Sequence, residues 1–205
     1  MTTTILIATA NRGKAKEIKE IFAASGWNIK FLFDLPELDS LVIQENAQSF
    51  EGNALIKAIL AGEASGLITL ADDSGLSIDA LGGRPGVFSA RYSGMGSDAA
   101  NNEKVLAEMS GIPEEERSCR YICCVAIYDP KTKFVATTEG QWEGRISFEP
   151  RGEKSFGYAP IFLAADFEYQ KTNAEFDPEE LIMINHRGRA FRQAIDILRG
   201  YLGEK

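Results

Sequence analysis

"LADDSGLSIDALGGRPGVFSARYSG", residues 70–94, joins features that an ordinary core strand does not combine. The apolar run that leads into it, "GLITLA" at 66–71, reads as a buried strand. It meets two adjacent carboxylates, Asp72 and Asp73, then Ser74 and Gly75, and later Gly82, Gly83, Pro85 and Gly86. The pattern predicts that the strand stops on the aspartates and gives way to a small-residue loop. In an open α/β sheet, ligands gather beyond the carboxyl ends of the strands, so such an end is a candidate site. Carboxylates placed there are hard-oxygen ligands of the kind Mg2+ takes together with substrate phosphates. Asp73 could equally accept a proton from water. Taken alone, the pair is also explained by a turn-capping Asp72 and a solvated Asp73. The apolar run before it and the glycines after it favour the functional reading.

A second strand end stands near the start, in "LIATANRGKAKE". A β-branched strand, "TTTILIAT", passes through a short polar turn into a helix carrying Lys14 and Lys16. Backbone N–H groups at that helix start, with Lys14, suit phosphate oxygens. The turn is not a P-loop, because Ala8 stands where the first glycine would be. A plain strand–turn–helix with solvated lysines fits this stretch on its own.

The rest of the chain alternates. Helices are expected over 13–26, 49–66, 97–111 and 187–203, and strands over 28–33 and 66–71. Residues 119–129 and 134–147 read as a long antiparallel hairpin, and "FGYAPIFLA" as an extended apolar segment. The class is therefore α/β, with a mixed sheet and helices on its faces. The 205 residues fit one large domain, or two lobes around one sheet. With 22 basic against 30 acidic residues the net charge is -8, which argues against a nucleic-acid polymer as partner but not against a single nucleotide. No segment reads as a membrane span or a signal peptide, so a cytoplasmic protein is expected. Cys119, Cys123 and Cys124 are odd in number and clustered, with no metal spacing to the lone His186; they read as reduced strand residues.

Taken together, several stretches resemble the inosine triphosphate pyrophosphatase family, also called Ham1-like or dITP/XTP pyrophosphatases. They are "ATANRGKAKEI", "SFEGNALIKA", the long central stretch, "WEGRI", "GEKSFGYAPIF" and "NHRGRAF", in the family's order. The resemblance covers nearly the whole chain, as one domain over 1–205. It implies an elongated mixed sheet with two α/β lobes flanking a nucleotide cleft, and usually a homodimer. It also implies Mg2+-dependent cleavage of non-standard purine triphosphates to monophosphate and pyrophosphate. Carried over by motif, Asp73 is the proton acceptor and a metal ligand, and Glu45 the second metal ligand on a looser match. Thr9, Ala10, Asn11, Arg12, Gly13 and Lys14 form the triphosphate turn, with Lys57 pointing to phosphate and Asp72 supporting. Ser74 lets backbone approach the substrate. Ser89 and Arg91 lie in a loop over the phosphates, although a structural salt bridge explains Arg91 as well. Phe156, Gly157, Tyr158, Ala159, His186 and Arg187 belong to the base-reading end, where Phe156 and Tyr158 can stack on a base.

That end departs from the family's pattern. Ala159 stands where the family has Asp, Leu181 where it has Lys, and Asn185 where it has Ser. Nearby residues compensate, or the base preference differs. A non-catalytic nucleotide binder is the third reading, and retention of Lys14, Lys57, Asp72 and Asp73 speaks against it.

Overall fold

The computed structural model describes residues 2–38 and 41–204. The apolar "TILI" forms the strand β1 (Thr4–Ile7), which pairs in parallel with β2 (Asn28–Phe31) and with β3 (Ile68–Ile78). β4 (Ser118–Asp129) and β5 (Phe134–Ile146) are sheet neighbours joined by residues 130–133. So short a connection cannot make a parallel crossover, so the two strands run antiparallel. β6 (Phe162–Ala164) pairs antiparallel with β5. The result is a mixed six-stranded sheet in the order β2-β1-β3-β4-β5-β6. The helices are α1 (Arg12–Ile21), α2 (Phe50–Ser65), α3 (Asp98–Glu108), α4 (Pro178–Leu181) and α5 (His186–Leu202).

The chain divides into two compact units. One comprises the chain up to Asp73, Cys123–Gly140 and the chain from Arg187; the other is Ser74–Ile122 with Gln141–His186.

In the first unit the period of two along each strand splits the core into two layers. Ile5, Ile7, Leu70, Cys123, Val125 and Ile127 pack with Ala15 and Ile18 of α1 and Phe191, Ala194 and Leu198 of α5. Their strand neighbours Leu6, Ala8, Ala71, Ala126 and Tyr128 pack with Ala54, Ala58 and Ala61 of α2. Small residues on α2 let it lie close to the sheet. In the second unit Leu76, Ile78, Val105, Met109, Trp142, Phe162 and Leu181 share one cluster. Beside it the buried Arg117 donates to the carbonyls of Met109, Ile112, Ile146 and Ser147.

The structure corrects four expectations. β3 does not stop at Asp72 and Asp73 but continues through them to Ile78. Side chains of the flanking helices meet both carboxylates, so local polarity does not break the strand. The glycines then serve a tighter path: Gly82, Gly83 and Gly86 have φ of 63°, 87° and 57°, around the 3₁₀ turns Asp79–Leu81 and Gly86–Arg91. α1 ends at Ile21 with Phe22 as its C-cap, short of Ser25–Gly26, and β2 gives way to a 3₁₀ turn at Leu32–Asp34. "FGYAPIFLA" is not extended throughout: a 3₁₀ turn at Ala159–Ile161 precedes β6. Among the described residues no helix is long and apolar enough to cross a membrane.

Close approach of α2 to the sheet has a consequence at Gly62. A Cβ there would lie 2.7 Å from Cδ1 of Tyr128, a ring fixed in the core. Gly62→Ala gains helix propensity but overpacks this contact, and overpacking typically costs ~1–3 kcal/mol. A net loss of stability is expected in denaturant melts; a stabilised variant would show that α2 is free to shift.

Candidate functional site

Successive side chains of a strand point to opposite faces, so Asp72 and Asp73 make their direct contacts with different side chains. Asp72 follows Leu70 onto the α1 and α5 side. It is 2% exposed. Lys14 of α1 donates to its Oδ2 at 2.8 Å, and Nε of Arg187, in the first turn of α5, lies 3.6 Å from the same oxygen. Arg187 also donates to Glu17 of α1 at 2.6 Å. Burial alone would push the Asp72 carboxyl up, but the attraction of Lys14, Arg187 and Lys57 holds it well below the usual carboxylate range.

Asp73 follows Ala71 onto the α2 side and is also buried. Asn53 of α2 donates to its Oδ2 at 2.9 Å. The Lys57 ammonium lies 3.6 Å from its Oδ1 and donates to Oε1 of Glu45 at 3.1 Å. Asn53 and Lys57 are one turn apart, so they share a helix face. The side-chain Oδ1 of Asn53 accepts from the Ala47 N–H at 2.9 Å, which ties the Glu45 segment to α2. Here burial wins: despite Lys57 and the Asn53 hydrogen bond the Asp73 carboxyl is raised, and nearby Glu45 adds to the rise.

Glu45 and Asp73 thus approach one cationic point from different segments. Both are hard-oxygen donors, and Mg2+ normally takes one or two carboxylates and completes its shell with water and phosphate. The residues present fit that ion.

The turn over residues 9–14 is held by its own polar groups. The Thr9 hydroxyl accepts from the Asn11 N–H at 3.2 Å, and the Asn11 side chain caps α1 by accepting from the Lys14 N–H at 3.0 Å. Ala10, Asn11 and Arg12 are exposed, and Gly13 is half-buried. Arg12 lies 3.7 Å over the Phe33 ring. Lys14 spends one ammonium N–H on Asp72 and has three to offer.

In the second unit, half-buried Ser74 continues β3. Ser89 is buried and its hydroxyl is committed to backbone, accepting from Leu76 N–H at 2.9 Å and donating to the Gly86 carbonyl at 2.7 Å. Its part is to hold the loop. Arg91 is exposed, 5.3 Å over the Phe88 ring, and forms no ion pair among the described residues. Phe156 is 40% exposed, whereas Tyr158 is 4% exposed and donates its hydroxyl to the Ser89 carbonyl at 2.8 Å. The expected pair of stacking rings is therefore one: Tyr158 belongs to the core, and Phe156 alone presents its ring. Ala159 and Leu181 are buried too, and Leu181 joins the apolar cluster. His186 stacks on Tyr121 with centroids 4.7 Å apart.

All three cysteines are free and buried. Burial raises each thiol, Cys124 to about 12, so none is a ready nucleophile. Two residues of the carboxylate clusters escaped the sequence reading, Asn53 and Glu17. The signal was present for both, since Asn53 lies four residues before Lys57 and Glu17 three after Lys14.

The model of the Ham1 family matches residues 5–197. A dITP/XTP pyrophosphatase of Bacillus subtilis is 45% identical over 94% of this chain and 96% of its own. The solved Ham1 protein of Staphylococcus aureus superposes with a TM-score of 0.84 at 32% identity, covering 97% of this chain and 100% of that one. A nucleoside-triphosphatase, dITP/XTP pyrophosphatase, of Mycobacterium abscessus gives 0.75 at 40% identity over 94% and 98%.

The charge network fixes how stability depends on pH. The folded-state pKa of Asp72 is lowered, so its contribution is complete above the unfolded value of about 3.9 and is lost as pH falls below it. Asp72→Asn removes the carboxylate that half-buried Lys14 and buried Arg187 share, and should cost about 3–5 kcal/mol near neutrality. The gap between wild type and variant should narrow on acidification below about 4. Urea melts from neutral to acid pH check this; a gap that widens in acid would contradict it.

Proposed function

The chain belongs to the Ham1 family, and on that premise we propose that it hydrolyses non-standard purine nucleoside triphosphates, ITP, dITP and XTP, to monophosphate and pyrophosphate. Relatives named dITP/XTP pyrophosphatase support this reading. The observation that carries it is the cluster around Asp73: a buried carboxylate of raised pKa, with Asn53, Lys57 and Glu45 converging on it.

The chemistry follows from those groups. A triphosphate repels a hydroxide-like nucleophile, so its charge must be offset before water can attack. Lys14 and Lys57 offer ammonium N–H groups for that purpose. Asp73 accepts the proton of the attacking water, held for that task between Asn53 and Lys57. Asn53 fixes the orientation of the carboxylate by donating to Oδ2, while Oδ1 faces the Lys57 ammonium at 3.6 Å. Water attacks the α-phosphorus, the α–β anhydride bond breaks, and pyrophosphate leaves with the bonding electrons. Glu45 and Asp73 would hold Mg2+, which when bound supplies charge neutralisation. Phe156 offers a ring for the base.

The single-domain reading over 1–205 stands with this proposal, supported by a family match over 5–197. So does the homodimer, which light scattering on the purified protein tests.

A second reading keeps the reaction and changes the base preference. It rests on Ala159 and Leu181, which bring no charge to the base end and are 3% and 5% exposed. Restoring Asp and Lys there would bury two charges, so base preference is better measured on the wild type. A pyrophosphate-release screen with Mg2+ over ITP, dITP, XTP and the standard triphosphates decides between the readings.

Two outcomes are expected. Asp73→Asn should lower turnover ~10²–10⁴-fold while leaving the fold intact by circular dichroism. Near wild-type turnover would remove Asp73 from its role. Reaction in ¹⁸O-labelled water should put the label in the monophosphate; label in inorganic phosphate beside a diphosphate would mean a different reaction.

A further inference from the structure

The segment assigned to the base by resemblance is a tight turn. The Phe156 carbonyl accepts from the Ala159 N–H at 3.4 Å. Gly157 has φ 65°, and Tyr158 follows at φ -88°, ψ 8°. A positive φ at the first central position, then values near -80° and 0°, is the pattern of a type II′ turn, which demands glycine there. No atom lies within 4 Å of where a Gly157 Cβ would be, so conformation rather than crowding requires the glycine.

Helix α3 grips this turn by one residue. Asp98 accepts from the Gly157 N–H at 2.7 Å, and Asn102 donates its Nδ2 to the Gly157 carbonyl at 3.0 Å. The two are one helical turn apart and so lie on the same face of α3. The carbonyl can only accept, which fixes the Asn102 amide with Nδ2 toward it. Asn102 Oδ1 is then buried with no hydrogen-bond partner among the described residues. The fold tolerates that orphan acceptor to keep the grip. Next along the helix, Asn101 donates to the carbonyls of Ser89 and Ala90 and accepts from the Ser93 N–H. The Ser89 carbonyl also takes the Tyr158 hydroxyl. One face of α3 therefore fixes both the turn and the loop that follows β3.

We propose that Asp98 and Asn102 are positioning residues for base selection. They clamp both polar groups of Gly157 and so set where the exposed Phe156 ring and the peptides beside it stand. This inference rests on the proposed function and deepens it: base choice is made through a backbone turn held by α3, in a chain that lacks charged side chains at 159 and 181. Both residues belong to the second unit, whereas Lys14, Lys57 and Asp73 belong to the first, so their loss should act on KM and on base ranking rather than on kcat.

The test compares kcat and KM for dITP and dGTP in the wild type, Asp98→Ala, Asn102→Ala and Asp98→Asn, with a thermal melt of each. Losing either clamp should raise KM for dITP about tenfold, the value of one hydrogen bond to or beside a fixed turn, with kcat within about twofold. The ratio of kcat/KM for dITP over dGTP should fall with it. Asp98→Asn keeps an acceptor oxygen and should restore most of what Asp98→Ala loses, which separates the hydrogen bond from the charge at the helix start. Asp98 is exposed, so Asp98→Ala carries the test even if Asn102→Ala melts below the assay temperature. An inactive wild type would overturn the proposed function and this inference with it. An active wild type whose base ratio and KM are unmoved in Asp98→Ala, or a loss confined to kcat, would overturn the inference alone.

Discussion

The structure depends on how β3 carries two adjacent negative charges through a buried sheet. An isolated carboxylate in such a place costs several kcal/mol unless it is paired or neutralised. The chain does not avoid the cost by ending the strand. It uses the alternation of the strand to send each carboxylate to a different face, where a different helix meets it. α1 and α5 answer Asp72 with Lys14 and Arg187; α2 answers Asp73 with Asn53 and Lys57. One residue of register slip would exchange the two environments and leave both wrong, so the site and the strand register are specified together.

The two answers differ in strength, and the difference agrees with the roles in the proposed function. Asp72 is over-compensated: cations outweigh burial and it stays ionised far into acid. It is suited to holding Lys14 and Arg187 in place and unsuited to taking a proton. Asp73 is under-compensated: burial outweighs Lys57 and Asn53, and its affinity for a proton rises. On the proposed function, neighbouring carboxylates with pKa values pushed apart divide the work between a structural charge and a base. Lys57 stands between Glu45 and Asp73 and offsets their mutual repulsion.

The fold was legible where periodicity was strong. β1, α1, α2, α3, the hairpin of β4 and β5, and α5 all follow from spacing alone, with ends displaced by a few residues. β3 was misread because two charges and a glycine run are local stop signals, and only partners distant in sequence override them. The residues that the resemblance assigns to phosphate and metal do lie together: Lys14 meets Asp72 and Lys57 meets Asp73, all in the first unit. Their wiring is not legible in sequence: which lysine meets which aspartate follows from side-chain alternation along a β3 that runs on to Ile78. Tyr158 was misjudged for a related reason. A tyrosine next to a turn glycine reads as a surface ring, but the turn folds it inward, where its hydroxyl finds the Ser89 carbonyl.

The base end obeys the opposite logic from β3. Where β3 keeps charge in the core at the cost of many partners, Ala159 and Leu181 remove charge and become core. Charged side chains discriminate bases by penalising the ones that leave them unpaired. On the proposed function, discrimination without them comes from groups that cannot be deleted, the peptide N–H and C=O, and from a ring whose stacking tolerates many bases. Peptide groups discriminate only when their directions are fixed. The turn at Gly157 has no side chain of its own to fix them, so the rigidity has to be imported, and α3 is the element within reach that supplies it. On the proposed function, the loss of two charged contacts and the double grip of α3 on one glycine are therefore parts of one solution.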